Sequence, residues 1–196
     1  CHHAESCTGW LTGCGDCPQL RYPADGDLSA KVFKNKVKAY AKGRLHVVAC
    51  SQWLADLAKR STLFKENKIY CIQNAIDTQF YQPGDKMEAR KALGLPQEKQ
   101  LLLFVAYKAT DRKKGIDYLI EATNIIAEQH PEWSSLLGII PVGLEAESLK
   151  HAFACDAYPQ DYVTDAKKMR LLYQAADLLV MPTLMDNLPN TIVEAM

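Results

Sequence analysis

Two carboxylates stand eight positions apart in the last loop of the sequence, at Asp186 and Glu194. Pro189 lies between them and is a residue type favoured in the first turn of a helix. A helix that begins there places Glu194 about one turn in, with its side chain leaning back toward the N-terminus. Both acids would then face one pocket, whose floor is formed by the free backbone amides of Asn187, Leu188 and Asn190. Such a pocket could bind hydroxyl groups and a phosphate together. The alternative is that the acids only cap the helix and meet its dipole.

A second segment, residues 107–115, concentrates positive charge just before a predicted helix. It contains Lys108, Arg112, Lys113 and Lys114. Cations at a helix N-terminus oppose the helix dipole unless an anion binds to both. The segment therefore predicts a diphosphate-binding loop, and the alternative is a solvated basic turn.

Four cysteines, Cys1, Cys7, Cys14 and Cys17, fall within the first seventeen residues. The C-x2-C spacing of the last two is typical of a structural zinc site, which would stabilise a loop without a core of its own. The alternative is a set of reduced thiols, or a disulfide formed on handling. An odd total of seven cysteines, some within strand-like runs, favours a reducing cytoplasm.

The loops that carry these groups are separated by regular elements. Apolar runs and helical periodicity predict alternating strands (101–106, 136–140, 153–157 and 178–181) and helices (114–129, 145–151 and 165–175). Such alternation favours a parallel, doubly wound sheet. Ligands bind beyond the carboxyl ends of the strands in these sheets, so the two charged loops are expected at one edge.

The first part of the chain is organised differently. The composition of residues 1–30, without an apolar period, predicts an ordered loop. The pattern of residues 31–44 predicts a helix whose apolar stripe (Val32, Phe33, Val37, Tyr40 and Ala41) faces a core. Strands are predicted at 45–50 and 68–72, with Ser51 capping a helix between them. The opposite face of the first helix carries only cations: Lys31, Lys34, Lys36, Lys38, Lys42 and Arg44. That face either meets anionic lipid or is simply solvated.

Composition narrows the function classes. The 196 residues are 48% hydrophobic, enough for a buried core, which argues against a disordered chain. The 23 basic and 23 acidic residues balance, so the chain has no net positive charge that would attract nucleic acid. No apolar run approaches the ~20 residues of a membrane span. The chain opens on Cys1 and stops at Met196 inside an apolar helix start, so we expect a fragment of a longer protein.

Several short motifs occur in order along the chain: TGCGDCP (12–18), CSQWL (50–54), IQNAID (72–77), KG (114–115), YQAAD (173–177) and the segment 186–196. Together they resemble the family 4 (group 1) retaining nucleotide-sugar glycosyltransferases. The resemblance implies an α/β protein of the GT-B type, with two Rossmann-like, doubly wound parallel-sheet domains that are both incomplete here. Residues 1–75 would be the rear of an acceptor domain, 76–96 the connection and 97–196 a truncated donor domain.

The resemblance also implies roles for the charged loops. Asp186, where the family usually has Glu, would address the donor sugar, and Glu194 would bind the ribose hydroxyls. The amides of Asn187, Leu188 and Asn190 would hold sugar and phosphate. Lys108 and Lys114 would bind the diphosphate without a metal or other catalytic cofactor, with Arg112 and Lys113 as competitors. Tyr162 and Val163 would neighbour the nucleobase.

The implied reaction is retaining transfer of a glycosyl unit from a UDP- or GDP-sugar to a carbohydrate or lipid-linked acceptor, in surface polysaccharide biosynthesis. The expected location is the cytoplasm, at the inner face of the membrane. The family's acceptor-side residues should lie before Cys1, so the chain by itself is not expected to be active. The alternative function is a zinc-stapled module that binds nucleotide or glycan without catalysis.

Overall fold

The computed structural model describes residues 7–41 and 45–196. The chain divides into two compact units, Cys1–Asn74 and Ala75–Met196. The stretch 76–96, expected to connect two domains, is grouped with the second unit. Within the described residues, no helix is long and apolar enough to cross a membrane.

The first unit contains a parallel pair of strands, β1 (His46–Ala49) and β2 (Lys68–Cys71), with His46 opposite Lys68. Helix α2 (Gln52–Arg60) connects them, and helix α1 (Leu28–Tyr40) precedes them. The predicted cap of α2 is confirmed, since the Ser51 hydroxyl accepts a hydrogen bond from the Leu54 amide at 3.1 Å. A single 3-10 turn, Gly9–Leu11, lies in the cysteine-rich loop.

Helix α1 buries a narrower face than the sequence predicts. Ala30 and Phe33 are its buried residues. The ring of Tyr40 stacks on the ring of Phe64, with 5.7 Å between the ring centroids. Val32 and Val37 are exposed, so their assignment to the core was wrong. Val32 lies ~100° around the helix axis from Phe33 and therefore falls outside the buried face, whereas nothing in the structure explains the exposure of Val37. Residues 42–44 of the predicted helix lie outside the described residues.

The second unit is built around a four-stranded sheet in the order β5-β4-β3-β6, with every pairing parallel. The predicted parallel sheet is therefore confirmed. In chain order its elements are α3 (Lys86–Leu93), β3 (Gln100–Lys108), α4 (Ile116–Gln129), α5 (Pro131–Ser134), β4 (Leu137–Leu144), β5 (Asp156–Ala157), α6 (Ala166–Ala175), β6 (Leu178–Leu179) and α7 (Asn190–Ala195).

Side chains alternate between two cores on the faces of this sheet. Phe104 of β3 packs on one face with α4, through a cluster that includes Ile116 and Leu119. Leu101 and Leu103 point to the other face and join the cores of α3 and α6. Because successive residues of a strand face opposite sides, β3 needs apolar residues throughout, and helices cover both faces.

Four predicted elements in this unit are shorter than expected, among them the strand predicted at 178–181, which is reduced to β6. Residues 145–151 do not form an α-helix but a 3-10 turn, Ala146–Leu149, and the strand predicted at 153–157 is reduced to β5. The helix expected from Lys114 begins instead at Ile116, after a 3-10 turn at Arg112–Lys114. Gly115 separates the two because its φ of +80° lies in the left-handed region, which a right-handed helix does not contain.

The amino ends of β3 and β6 are joined by ion pairs of Asp177, whose side chain is 18% exposed, with the buried Arg90 and the half-exposed Lys86. Asp177 accepts hydrogen bonds from Arg90 Nη2, Lys86 Nζ and the Leu101 amide, each at 2.6 Å. The side chain of Arg90 is 3% exposed, and it also donates to the carbonyl oxygens of Ala175, Gln97 and Lys99. Burial would raise the pKa of Asp177, but the hydrogen bonds and the charge of Arg90 hold it below its ordinary value.

Candidate functional site

The strand order reverses at β3, and this places the candidate site. The chain leaves β3 for β4 on one side and later returns to β6 on its other side. In open α/β sheets the crevice at such a reversal, beyond the carboxyl ends of the strands, is where ligands bind. The two charged loops of the sequence analysis, after β3 and after β6, border this crevice.

An ion pair joins these two loops. Lys114 Nζ lies 2.6 Å from Asp186 Oδ2, and the two side chains are 32% and 22% exposed. The other carboxylate oxygen of Asp186 accepts a hydrogen bond from the Asn187 amide at 3.0 Å. The sequence analysis had expected the Asn187 amide to be free, and this expectation was wrong because the amide donates to Asp186. The structure does bring together the lysine and the acid that the sequence placed 72 positions apart.

Backbone contacts fix the approach of the two loops. The carbonyl oxygen of Lys113 accepts hydrogen bonds from the Leu184 amide at 3.0 Å and from Thr183 Oγ1 at 3.3 Å. Gly115 lies so close to the other loop that a Cβ atom there would overlap the carbonyl oxygen of Pro182. Glycine is therefore required for this approach as well as for the left-handed backbone.

Lys108, the last residue of β3, forms a second ion pair at the same edge. Its Nζ lies 2.8 Å from Glu145 Oε1, and Thr110 Oγ1 donates to Glu145 Oε2 at 2.6 Å. The hydrogen bond from Lys108, followed by that from Thr110, holds the pKa of Glu145 below its ordinary value. Each lysine that the resemblance assigns to the diphosphate thus faces a carboxylate.

Glu194 is held by a different element. Its Oε2 accepts a hydrogen bond from the hydroxyl of Tyr173 on α6 at 2.7 Å. Burial, and then this hydrogen bond to a carboxylate, raise the pKa of Tyr173. Helix α7 begins at Asn190 with Pro189 before it, as predicted. Leu188 is half-buried in the loop that leads to this helix.

The segment assigned to the nucleobase lies beside β4. It is tied to that strand by hydrogen bonds of Gln160 to Pro141 and Gly143. The exposed ring of Tyr162 meets the ring of Tyr107 edge-on, with centroids 5.2 Å apart. Val163 instead packs against the core on the α6 side of the sheet.

The competing cations of the first loop are oriented differently. Arg112 pairs with Asp117 in the first turn of α4 and is largely exposed. Lys113 contributes its carbonyl oxygen to the loop contacts described above, and its side chain is exposed. Lys114 is the member of this turn that reaches Asp186. The assignment of the diphosphate to Lys108 and Lys114 stays a prediction. Arg112 is the weaker candidate, because its side chain pairs with Asp117 and not with the second charged loop.

A sequence model for the glycosyl transferases group 1 matches residues 99–196, half of the chain. The chain belongs to this family. The matched residues contain both charged loops and the sheet that carries them, so the ion pairs of Lys108 and Lys114 lie in the part of the chain that the family model matches.

Relatives with known names agree with this membership. The chain is 27% identical over 158 residues to an uncharacterized glycosyltransferase of Haemophilus influenzae, covering 78% of this chain and 41% of that protein. It is 30% identical over 129 residues to a D-inositol 3-phosphate glycosyltransferase of Acidothermus cellulolyticus, and this match covers 60% of this chain and 28% of that protein. The matches thus span less than half of the length of these relatives.

Solved structures show the same fold. Sucrose-phosphate synthase from Thermosynechococcus elongatus superposes with a TM-score of 0.63 at 20% identity, over 86% of this chain and 42% of that one. WaaG, a glycosyltransferase involved in lipopolysaccharide biosynthesis, gives a TM-score of 0.59 at 20% identity, over 85% of this chain and 45% of the WaaG chain. The GT-B fold predicted from the sequence is confirmed.

Three residues at the site were missed by the sequence analysis: Glu145, Thr110 and Tyr173. Strand β4 extends to Leu144, whereas the apolar run predicted an end at residue 140. A longer strand would have placed Glu145 at the carboxyl edge, where a charged side chain is informative. Tyr173 gave no such signal, because an aromatic residue at a helical period is expected in a core.

The cysteine-rich loop contains neighbouring thiols. Burial, followed by the proximity of Cys7 and Cys17, raises the pKa of the Cys14 thiol. Cys1, the fourth predicted zinc ligand, lies outside the described residues. Across residues 7–41 and 45–196, no group of three or more His, Cys, Asp or Glu side chains is arranged to hold a metal. The zinc-stapled binding module therefore has no support in the described part of the chain.

Proposed function

We propose that the protein transfers a glycosyl unit, with retention of configuration, from a UDP- or GDP-sugar to a carbohydrate or lipid-linked acceptor. The observation that carries this proposal is the Lys114–Asp186 ion pair across the reversal of the sheet. It brings a cation suited to a diphosphate next to an acid suited to sugar hydroxyls. Membership of the group 1 glycosyltransferases supports the same reaction class.

Each charged residue has a role in this proposal. Lys108 and Lys114 stabilise the negative charge that develops on the departing diphosphate, and they do so without a metal ion. Asp186 addresses the donor sugar, and the backbone from Asn187 to Asn190 holds sugar and phosphate. Tyr173 fixes the carboxylate of Glu194, which binds the ribose hydroxyls. The base lies near Tyr162 and Val163.

The acceptor class rests on the names of similar proteins. One relative is named for the glycosylation of D-inositol 3-phosphate, and WaaG is described as involved in lipopolysaccharide biosynthesis. We propose surface polysaccharide assembly as the setting, because a carbohydrate or lipid-linked acceptor is common to such pathways.

Calorimetric titration with UDP, GDP and ADP, without added metal, tests the donor site. We expect one nucleotide to bind. Lys114→Ala should weaken its binding about tenfold or more, since a hydrogen bond to a charged group contributes about 1.5–3 kcal/mol. Arg112→Ala is the matched control: it removes a cation from the same turn, but one that is paired with Asp117, and should leave affinity unchanged.

Two outcomes contradict the proposal. One is that a folded sample binds none of the three nucleotides. The other is that both substitutions weaken binding equally, which would reflect general surface charge. Turnover by the complete protein in the presence of EDTA, with the anomer of the product assigned by NMR, then tests metal independence and retention.

We also propose that the protein acts in the cytoplasm, at the inner face of the membrane, through the outer face of α1. This face combines lysines with the exposed apolar side chains of Leu28 and Val32, a combination that favours anionic interfaces. Flotation with anionic vesicles should be lost in the double substitution Lys34→Glu, Lys38→Glu. It should persist in Lys59→Glu, Lys65→Glu, which changes charge equally elsewhere in the first unit. Equal loss in both variants would contradict a specific surface on α1.

A further inference from the structure

Glu145 has an unusual backbone conformation. Its φ is +64° and its ψ is 13°, in the left-handed region that favours glycine. A residue with a Cβ atom costs about 1–2 kcal/mol in this conformation. Such a residue persists when its surroundings hold it, and the strain is concentrated at functional sites.

The conformation brings the Glu145 carboxylate to the end of β3, where both of its oxygens are engaged. Oε1 lies 2.8 Å from Lys108 Nζ, and Oε2 accepts from Thr110 Oγ1 at 2.6 Å. The backbone around it is tied as well. The Ala109 amide donates to the carbonyl oxygen of Leu144 at 2.9 Å, and Ser148 Oγ donates to that of Glu145 at 2.7 Å.

Lys108 needs such a partner if it is to meet a ligand in one geometry. Its side chain is 47% exposed, and a free lysine side chain carries substantial rotamer entropy, about 2 kcal/mol. A fixed carboxylate restricts the ammonium group before the ligand arrives, which lowers the entropy lost on binding. Glu145 is itself fixed, because Thr110 and the local backbone hold it.

We propose that Glu145, supported by Thr110, is a positioning residue that pre-orients Lys108 for the diphosphate of the nucleotide donor. The inference rests on the proposed function, in which Lys108 binds that diphosphate. The opposite role is a carboxylate that competes with the diphosphate for Lys108. The two roles differ in sign, since removal of a positioning residue weakens binding and removal of a competitor strengthens it.

A double-mutant cycle tests the proposal, with whichever of UDP, GDP and ADP binds to the unsubstituted protein. Glu145→Ala should weaken binding about twofold to fivefold, the range expected for an exposed ion pair. Glu145→Gln keeps hydrogen-bond acceptors and should lose less. In a Lys108→Met background, Glu145→Ala should have no further effect, because the residue acts through Lys108.

Glu145→Gly separates positioning from a structural role. Glycine relieves the left-handed strain, so the free energy of unfolding should rise or stay the same while nucleotide affinity falls. A merely structural residue would lower both together. The matched control is Glu147→Ala, which removes an equal charge from the same turn, where Glu147 pairs with Lys150. It should leave affinity unchanged.

The outcomes distinguish this inference from the proposed function. Unchanged or tighter binding in Glu145→Ala, or an equal loss with and without Lys108, overturns the positioning role alone. If a folded, unsubstituted protein binds none of the nucleotides, the proposed function fails and the inference fails with it. Weaker binding in Glu145→Ala that disappears in the Lys108→Met background is the result that supports both.

Discussion

The two ends of the β5-β4-β3-β6 sheet use ion pairs in opposite ways. At the amino ends of β3 and β6, Asp177 receives three donors, and its partner Arg90 is 3% exposed. At the carboxyl ends, Lys114 and Asp186 are 32% and 22% exposed, and Lys108 and Glu145 are about half exposed. The guanidinium of Arg90 is thus enclosed by protein although Asp177 itself is 18% exposed, whereas both members of each pair at the carboxyl ends are partly exposed to solvent.

The difference shows which charges the fold needs. A buried charge must be fully hydrogen-bonded, so the removal of one partner leaves a costly unpaired group. A half-exposed pair remains hydrated and contributes little to stability, but it is available for exchange with a ligand anion. We therefore expect substitutions at the amino end to affect folding and those at the carboxyl end to affect binding.

The largest effect is expected from Asp177→Ala. It leaves the guanidinium of Arg90 buried without its carboxylate, and we expect the free energy of unfolding to fall by about 3–5 kcal/mol. Urea denaturation measures it. The control is Asp117→Ala, which removes an acid from an exposed pair with Arg112 and should lower stability by less than about 1 kcal/mol. Similar losses in both would remove the distinction between the two ends.

Gly115→Ala should have the next largest effect, although it lies at the carboxyl end. Its Cβ atom would overlap the carbonyl oxygen of Pro182 and strain the backbone, so we expect a loss of about 2–4 kcal/mol. Gly94→Ala has a similar φ, +66°, with nothing within 4 Å of the added atom, and should cost about 1 kcal/mol. Equal losses would mean that the loops do not approach as closely as described.

A smaller stability effect is expected from Asp186→Asn. The pair with Lys114 is partly solvated, so the free energy of unfolding should change by less than about 1 kcal/mol, while nucleotide affinity changes more. Thermal unfolding and calorimetry on the same samples measure both quantities. A stability loss comparable to that of Asp177→Ala would place this pair with the structural charges instead.

The smallest effect is a pH dependence carried by Asp177. Its pKa is lowered in the folded state, so its contribution is fully present above the unfolded-state pKa of about 3.9 and is lost as pH falls through the folded-state value. The stability difference between the unsubstituted protein and Asp177→Asn should therefore shrink as pH is lowered from 6 to 3. A difference that stays constant over this range would contradict the role of the charge.

Periodicity predicted much of the fold. The long apolar run of β3, the Ser51 cap and the alternation of strands with helices each follow from local sequence, and the structure confirms them. The predictions failed where tertiary contact decides. Val32 and Val37 of α1 match a helical period but are exposed. Residues 146–149 form only a 3-10 turn after the left-handed Glu145.

The candidate site was predictable to a lesser degree. The spacing of Asp186 and Glu194 and the basic loop pointed to the correct edge of the sheet, but not to the partner of each side chain. Glu145 and Tyr173 come from different elements, and pairings over 21 to 37 residues depend on the packing of those elements. No local pattern encodes such distances.

Strand β6 also has a consequence for how the chain folds. It pairs with β3 through only two residues, Leu178 and Leu179, and is separated from it by some seventy residues of intervening chain. Contacts so distant in sequence form late, whereas β3 and β4 pair over a longer register and closer in the chain. We therefore expect Asp186, which follows this edge strand, to meet Lys114 late in folding. In the proposed function, a bound nucleotide would consequently slow the release of that strand.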